Sequence, residues 1–193
     1  MKRWALLVAA WIAIPAWAQN GILLVAKPDM LDPNFRETVV VVARAPDAST
    51  VGVILNRPTD RLLTGWPGAE NYPQALYQGG PVMPQVVIAL FAAESEPKEA
   101  AFHVLPQIYL TMHPKNIEPL LASPREKLRL FSGFSGWAPR QLESEMATGR
   151  WYALRVTESV LFRKDTSGLW RELVEQARGS RTSHDWMTPV AAR

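Results

Sequence analysis

Apolar residues fall along this chain in short, dense runs rich in Val, Ile and Leu rather than in long helical stripes. Six runs stand out: Ile22–Ala26, Thr38–Ala43, Val51–Leu55, Val86–Phe91, Val104–Met112 and Leu128–Phe131. Each is bounded by Pro, Gly, Asp or Asn, and the β-branched content predicts buried or half-buried strands. Trp151–Thr157 alternates Trp, Ala and Arg with Tyr, Leu and Val, which predicts a seventh, weaker strand. Helical spacing is rarer. Pro114–Ala122 sets Ile117, Leu120 and Leu121 on one side. Pro139–Thr148 is expected to start at Pro139, where a missing N–H costs nothing, and to stop at Gly149. Gly168–Arg178 stripes Leu169, Leu173 and Ala177 on one face, widened by Trp170 and Val174. Thr59–Tyr77, broken by Pro67, Gly68 and Pro73, reads as loop or broken helix, and Ala92–Ala101 as an exposed connection. Strands outnumber helices without strict alternation, so the expected class is α+β: a curved or partly closed, pseudo-barrel sheet with a few packed helices.

The first 18 residues read differently. Lys2 and Arg3 precede an unbroken apolar run from Trp4 to Ile14. Pro15 ends the run, and Ala16-Trp-Ala18 supplies the small residues of a cleavage site. The run is too short for a spanning helix, which needs roughly 20 residues. The expectation is therefore a signal peptide over residues 1–18, cleavage near Ala18, and a periplasmic or secreted protein with no stable membrane span. One domain is expected over 19–178, and a mobile polar tail over 179–193.

Cleavage changes the charge argument. The full chain carries +3, but the leader holds two of the basic residues and no acid, so the mature chain carries +1. That, with no Lys/Arg run carrying interleaved aromatics, opposes a nucleic-acid partner. The chain has no cysteine, which removes disulfides, thiolate nucleophiles and cysteine-ligated metal.

Six motifs in order carry a resemblance. They are Gly21-Ile-Leu-Leu-Val-Ala-Lys-Pro-Asp-Met30, Asp32-Pro-Asn-Phe35 with Thr38-Val-Val, Gly52-Val-Ile-Leu-Asn-Arg-Pro58, Gly79-Gly-Pro-Val82, Gly133-Phe-Ser-Gly-Trp137 and Gln141-Leu-Glu143. Together the chain resembles the AlgH/YqgE family over about Gly21 to Trp170. The resemblance implies a bifurcated sheet wrapped into a pseudo-barrel, and no defined reaction. It also exposes departures. The Cys-x-His pair common in the family is replaced by Ala43 and Ala45, the Leu-His after the GGPV strand by Leu90-Phe91, and typical members lack an export signal.

Candidate chemistry follows from residue types and spacing. Asp32-Pro33-Asn34 has turn chemistry. Asn56 is placed to satisfy free backbone groups, and Arg57 either forks onto a carboxylate or phosphate or forms an internal ion pair. Gly79 and Gly80 lack the following helix of a phosphate loop, and neither GxGxxG nor GxxxxGK[ST] occurs. Close backbone approach explains them more simply. Asp32, Asn34, Asn56, Arg57, Gly79 and Gly80 form the candidate binding patch. Gly133, Gly136, Trp137, Pro139, Gln141 and Glu143 form a structural motif, a glycine-bent turn whose Trp137 plugs the core.

Gly133-Phe-Ser135-Gly-Trp137 fails as a nucleophile elbow, because Trp137 stands where the second glycine belongs. His103, His113 and His184 show no metal-ligand spacing. His103 and His113 bracket one predicted strand, about 33 Å apart if extended. The sequence therefore supports a binding or accessory protein without metal, cofactor or catalysis of its own, its partner a protein or small molecule. Two alternatives stand beside it: a hydrolase or transferase using Ser132 or Ser135 with His103, and a transcriptional regulator, as the family name suggests.

Overall fold

The computed structural model describes residues 21–44, 50–123 and 126–179. The leader, and all of the expected tail except Gly179, lie outside the described residues. Within them the strands are β1 (Gly21–Ala26), β2 (Val39–Arg44), β3 (Thr50–Ile54), β4 (Pro58–Leu62), β5 (Ala75–Gln78), β6 (Val82–Ala92), β7 (Phe102–Leu105), β8 (Ile108–Thr111), β9 (Leu128–Trp137) and β10 (Trp151–Arg155). The helices are α1 (Pro114–Ala122), α2 (Gln141–Ala147), α3 (Glu158–Leu161) and α4 (Leu169–Gly179).

One path of strands runs β10-β1-β2-β3-β9-β6-β8-β7, with β4 and β5 as a branch. Nearly every pairing is antiparallel; β5 against β9 is parallel. The fork is on β9. Its Phe131 and Ser132 pair with Tyr77 and Gln78 of β5, and Ser135 to Trp137 pair with β3. At the far end, β7 packs back against β1 and β2 and curls the sheet into a half-barrel. That closure is tight: a Cβ on Gly21 would stand 2.6 Å from the Val104 carbonyl oxygen.

Period-two alternation divides the core, because successive side chains point to opposite faces of a sheet. On β2, Val39, Val41 and Ala43 face the concave interior with Leu23, Val25, Val53, Leu55, Ile88, Leu90 and Phe131. The helices α3 and α4 cover this interior with Leu161, Leu169, Leu173 and Val174. On the outer face, Val40, Val42, Leu24 and Ile54 meet Leu142 of α2 and Trp151. Further along the same wall α1 buries Ile117, Leu120 and Leu121 against Ala89, Phe91, Leu128 and Leu130. Full burial of one such Leu or Ile contributes about 1.5–3 kcal/mol, so these three clusters hold the fold.

Several expectations are corrected. Val104–Met112 is two strands, not one: β7 and β8 fold into a hairpin at Pro106 and Gln107, whose φ is 63°. Gly133–Trp137 is the second half of a long strand, not a free-standing turn. Thr59–Tyr77 is neither loop nor helix throughout; it holds part of β4, a single 3-10 turn at Ala69–Asn71, and most of β5. Pro139 is not the first helical residue. It lies in the turn before α2, and Arg140, at φ 67°, makes the bend instead. The short α3 went unpredicted because four residues are too few to show a period.

Candidate functional site

The loop between β1 and β2 is fixed by its own turn chemistry. The Asn34 N–H donates to Asp32 Oδ1 at 2.8 Å, and the Asp32 carbonyl accepts from Phe35 and Arg36. From the end of β3, Asn56 and Arg57 then hold this loop. Asn56 Oδ1 accepts from the Val39 N–H at 2.8 Å, while its Nδ2 donates to the Glu37 carbonyl at 2.9 Å. Arg57 donates to the carbonyls of Asn34 (2.7 Å), Pro33 (3.2 Å) and Arg36 (3.3 Å). Its fork is thus filled by backbone oxygens, not by the carboxylate of the expected internal ion pair. Burial lowers the Arg57 pKa, Asp32 opposes that, and nearby Arg36 reinforces it.

Gly79 and Gly80 belong to the same neighbourhood but lie beneath it. The Gly79 carbonyl accepts from Ile54 N, and its N–H donates to the Ser132 carbonyl, both at 2.9 Å. Gln78 N donates to the Arg57 carbonyl at 2.9 Å, which joins the glycine pair to the clamp. Both glycines are buried, and a Cβ on either would overlap backbone oxygen of β9. A Cβ on Gly133 would in turn stand 2.7 Å from the Gly80 carbonyl oxygen, and its φ of 70° already favours glycine. The two glycine motifs of the sequence are therefore the two halves of one backbone crossing.

The Ser135 hydroxyl is spent on this crossing. Ser135 is fully buried and its Oγ donates to the Gly79 carbonyl at 3.3 Å; Ser132 is also buried. His103 packs its ring 5.3 Å from Tyr109, on the β7–β8 hairpin, and no hydrogen bond joins it to either serine. Among the described residues no group of three or more His, Asp or Glu is placed to hold a metal ion. No described helix is long and apolar enough to cross a membrane, which says nothing of strands.

Outside the clamp, Phe35 stacks on Trp137 (6.0 Å) and meets Trp151 edge-on (5.5 Å). Both indole N–H groups donate to Glu145 Oε2 at 3.2 Å, and Gln141 Nε2 donates to Oε1 at 3.2 Å. Gln141 Oε1 accepts from the Ala138 N–H, closing the helix back on its turn, while Glu143 pairs with Arg44 across the surface. Gly136 is exposed and pairs with Val51. Glu145 is thus the organising residue of this end, a role the sequence did not assign it. The four-residue spacing to Gln141 was a usable signal; the two tryptophans arrive only through the fold.

A groove of about 280 Å³ opens beside this aromatic cluster, between the β1–β2 loop and the turn into β10. Asp29, Met30, Leu31, Asp32, Thr148, Gly149 and Arg150 line it. Leu31, on its lip, is 92% exposed, an extreme for a large apolar side chain. Asp32 is the candidate patch residue that reaches this groove. Arg129 was also missed. It is buried, donates Nη1 to the Leu161 carbonyl at 2.9 Å and sits 4.1 Å from the Tyr77 ring centre, with Nη2 meeting no acceptor among the described residues.

A family model described as AlgH-like matches residues 23–182. A UPF0301 protein of Myxococcus xanthus is 34% identical over 155 residues, covering 77% of this chain and 84% of its own. Another from Thermobifida fusca is 32% identical over 173 residues, covering 83% and 87%. In structure, a Corynebacterium diphtheriae protein superposes with TM-score 0.64 at 25% identity, covering 86% of this chain and 89% of its own. The solution structure of the AlgH protein from Pseudomonas aeruginosa gives 0.66 at 23% identity, with full coverage of both, a likeness of fold.

Proposed function

This chain belongs to the AlgH-like family, and from that premise we propose that it acts by binding, as an accessory protein without catalysis of its own. One observation carries the reading. The groups a catalyst would use, the Ser135 hydroxyl, the Asn56 amide and the Arg57 guanidinium, are each hydrogen-bonded to the protein's own backbone. A nucleophile needs a base within hydrogen-bond reach, and Ser135 instead donates to a carbonyl.

The surface proposed for binding is the clamped β1–β2 loop, with Asp32, Asn34, Asn56 and Arg57 holding its shape, Gly79 and Gly80 supporting it from below, and Leu31 exposed at the groove. We place the protein outside the cytoplasm, after cleavage near Ala18, on the leader pattern alone. Its partner is a protein or small molecule, and a mature charge of +1 makes nucleic acid a poor one.

The test joins the two parts. Protein purified from the extracytoplasmic fraction, measured by native mass spectrometry, is expected to begin at Gln19 and to carry a bound species. Leu31→Ser should weaken retention of that species about tenfold, a loss of 1.4 kcal/mol. Ester or phosphoester turnover that disappears in Ser135→Ala would replace binding with catalysis. An intact Met1 on soluble cytoplasmic protein would overturn export while leaving the groove reading to its own variant.

A further inference from the structure

Opposite the fork, β6 begins with a distortion that neither the fold nor the proposed binding surface uses. Val82 pairs with Phe134 and Val87 with Ser132, so a five-residue step on β6 faces a two-residue step on β9. The surplus is expelled as a bulge, the usual way a strand re-aims side chains. Pro81, Val82, Met83, Pro84 and Gln85 are all exposed. At its centre Met83 sits at φ 44°, in the left-handed region uncommon for a residue with a Cβ, and is 54% exposed. The glycine crossing explains why it stays there: Gly133 lies against the Val82 carbonyl and the Pro84 Cα.

The other described methionines are placed differently. Met30 is 5% exposed within the outer cluster; Met146 packs against that cluster, and Met112 against the concave one. The chain has no cysteine, so methionine is its only sulfur.

We propose that Met83 is an oxidant-modification site, reversibly converted to methionine sulfoxide by peroxide. The thioether lone pair attacks one peroxide oxygen, the O–O bond breaks, and sulfur gains the oxygen. Sulfur is oxidised by two electrons and the peroxide is reduced to water. Methionine sulfoxide reductases reverse the change. The product is polar, so an exposed apolar bulge of Val82 and Met83 becomes a polar one while the core is untouched. The same chemistry at Met30 would place an S=O group inside the core, where an unpartnered polar group is costly. The chemistry at Met83 does not depend on the binding reading.

Peptide mapping after limited hydrogen peroxide treatment of the folded protein tests the assignment. Met83 is expected to gain oxygen at least ~10-fold faster than Met30, following exposure, with near-UV circular dichroism unchanged and the adduct removed by the reductase. Met83→Leu should remove the fast phase alone; should that variant fail to fold, Met83→Gly, suited to the left-handed backbone, takes its place. Equal rates for Met83 and Met30, or loss of the near-UV signal as Met83 oxidises, would overturn the proposal.

Discussion

The wall formed by β10, β1, β2 and β3 and the forked wall formed by β4, β5 and the start of β6 are built on opposite principles. In the first, the pairings run in unbroken antiparallel register, and β2 buries Val39 to Ala43 on both faces. In the second, β4 is mostly exposed, its pairing with β5 slips, β6 bulges, and β5 alone runs parallel to its neighbour. The regular wall is held chiefly by side-chain burial spread over many residues, with close backbone approaches confined to Gly21 and Gly52. The forked wall is held by backbone against backbone at the Gly79–Gly80 and Gly133 crossing. Distributed packing tolerates repacking; a backbone crossing tolerates no added atom.

The sharpest way to break the comparison is one methyl group. Gly79→Ala would place a Cβ on the Gly133 carbonyl, and we expect a loss of about 3 kcal/mol, the upper range for overpacking, read as a lowered urea midpoint. Gly65→Ala is its control. Gly65 has positive φ, at 75°, which Gly79 lacks, but nothing lies within 4 Å of an added Cβ. It should cost about 1 kcal/mol, the left-handed penalty alone. Equal losses at the two sites would remove the crossing as the keystone of the forked wall.

Glu145→Ala comes next. It strips the acceptor from Trp137, Trp151 and Gln141. We expect about 2 kcal/mol of destabilisation and a changed near-UV tryptophan signal. Glu145→Gln should recover part of both, because one amide oxygen can still accept.

A pH experiment separates the walls further. Burial, above all, raises the Tyr72 phenol above its ordinary 10.0, although the Leu130 N–H it accepts and nearby Arg129 pull the other way. A folded-state pKa above the unfolded one means the native state holds the proton more tightly. The stabilising contribution is complete below the unfolded pKa and is lost as pH rises from there through the folded value. The wild type should therefore lose stability as pH climbs past 10, and Tyr72→Phe should lose less over the same interval. Parallel alkaline curves would remove Tyr72 from the account. The smallest effect belongs to Arg44→Ala. The Arg44–Glu143 pair is largely exposed, so its removal should change stability by no more than about 0.5 kcal/mol.

Legibility differed along the chain for the same physical reason. The regular wall was readable because short β-branched runs bounded by turn residues have few other ways to bury themselves. The Asp32-Pro33-Asn34 turn was readable because its hydrogen bonds are local. Thr59–Tyr77 misled because β4 carries Pro58, Asp60 and Arg61, and an exposed branch strand has no apolar face to announce it. Val104–Met112 misled because Pro106-Gln107 breaks a run of otherwise unbroken strand propensity. Arg57 was singled out from the sequence, but its partners are three backbone carbonyls, which leave no trace in residue type. Glu145 was passed over because two of its three partners lie outside its own helix.

The sequence by itself determined the strand-rich α+β class, the turn that opens the candidate surface, and the family to which the chain belongs. Periodicity, turn residues and motif order are all local properties, read one stretch at a time. Tertiary structure alone decided that the two glycine motifs are one crossing, that a single carboxylate gathers the tryptophans of two different strands, and that Met83 stands out in solvent. The glycine motifs lie far apart in the chain, the tryptophans sit on the strands flanking α2, and the β6–β9 pairing expels Met83; each is set by how strands pair, which no single stretch of sequence shows.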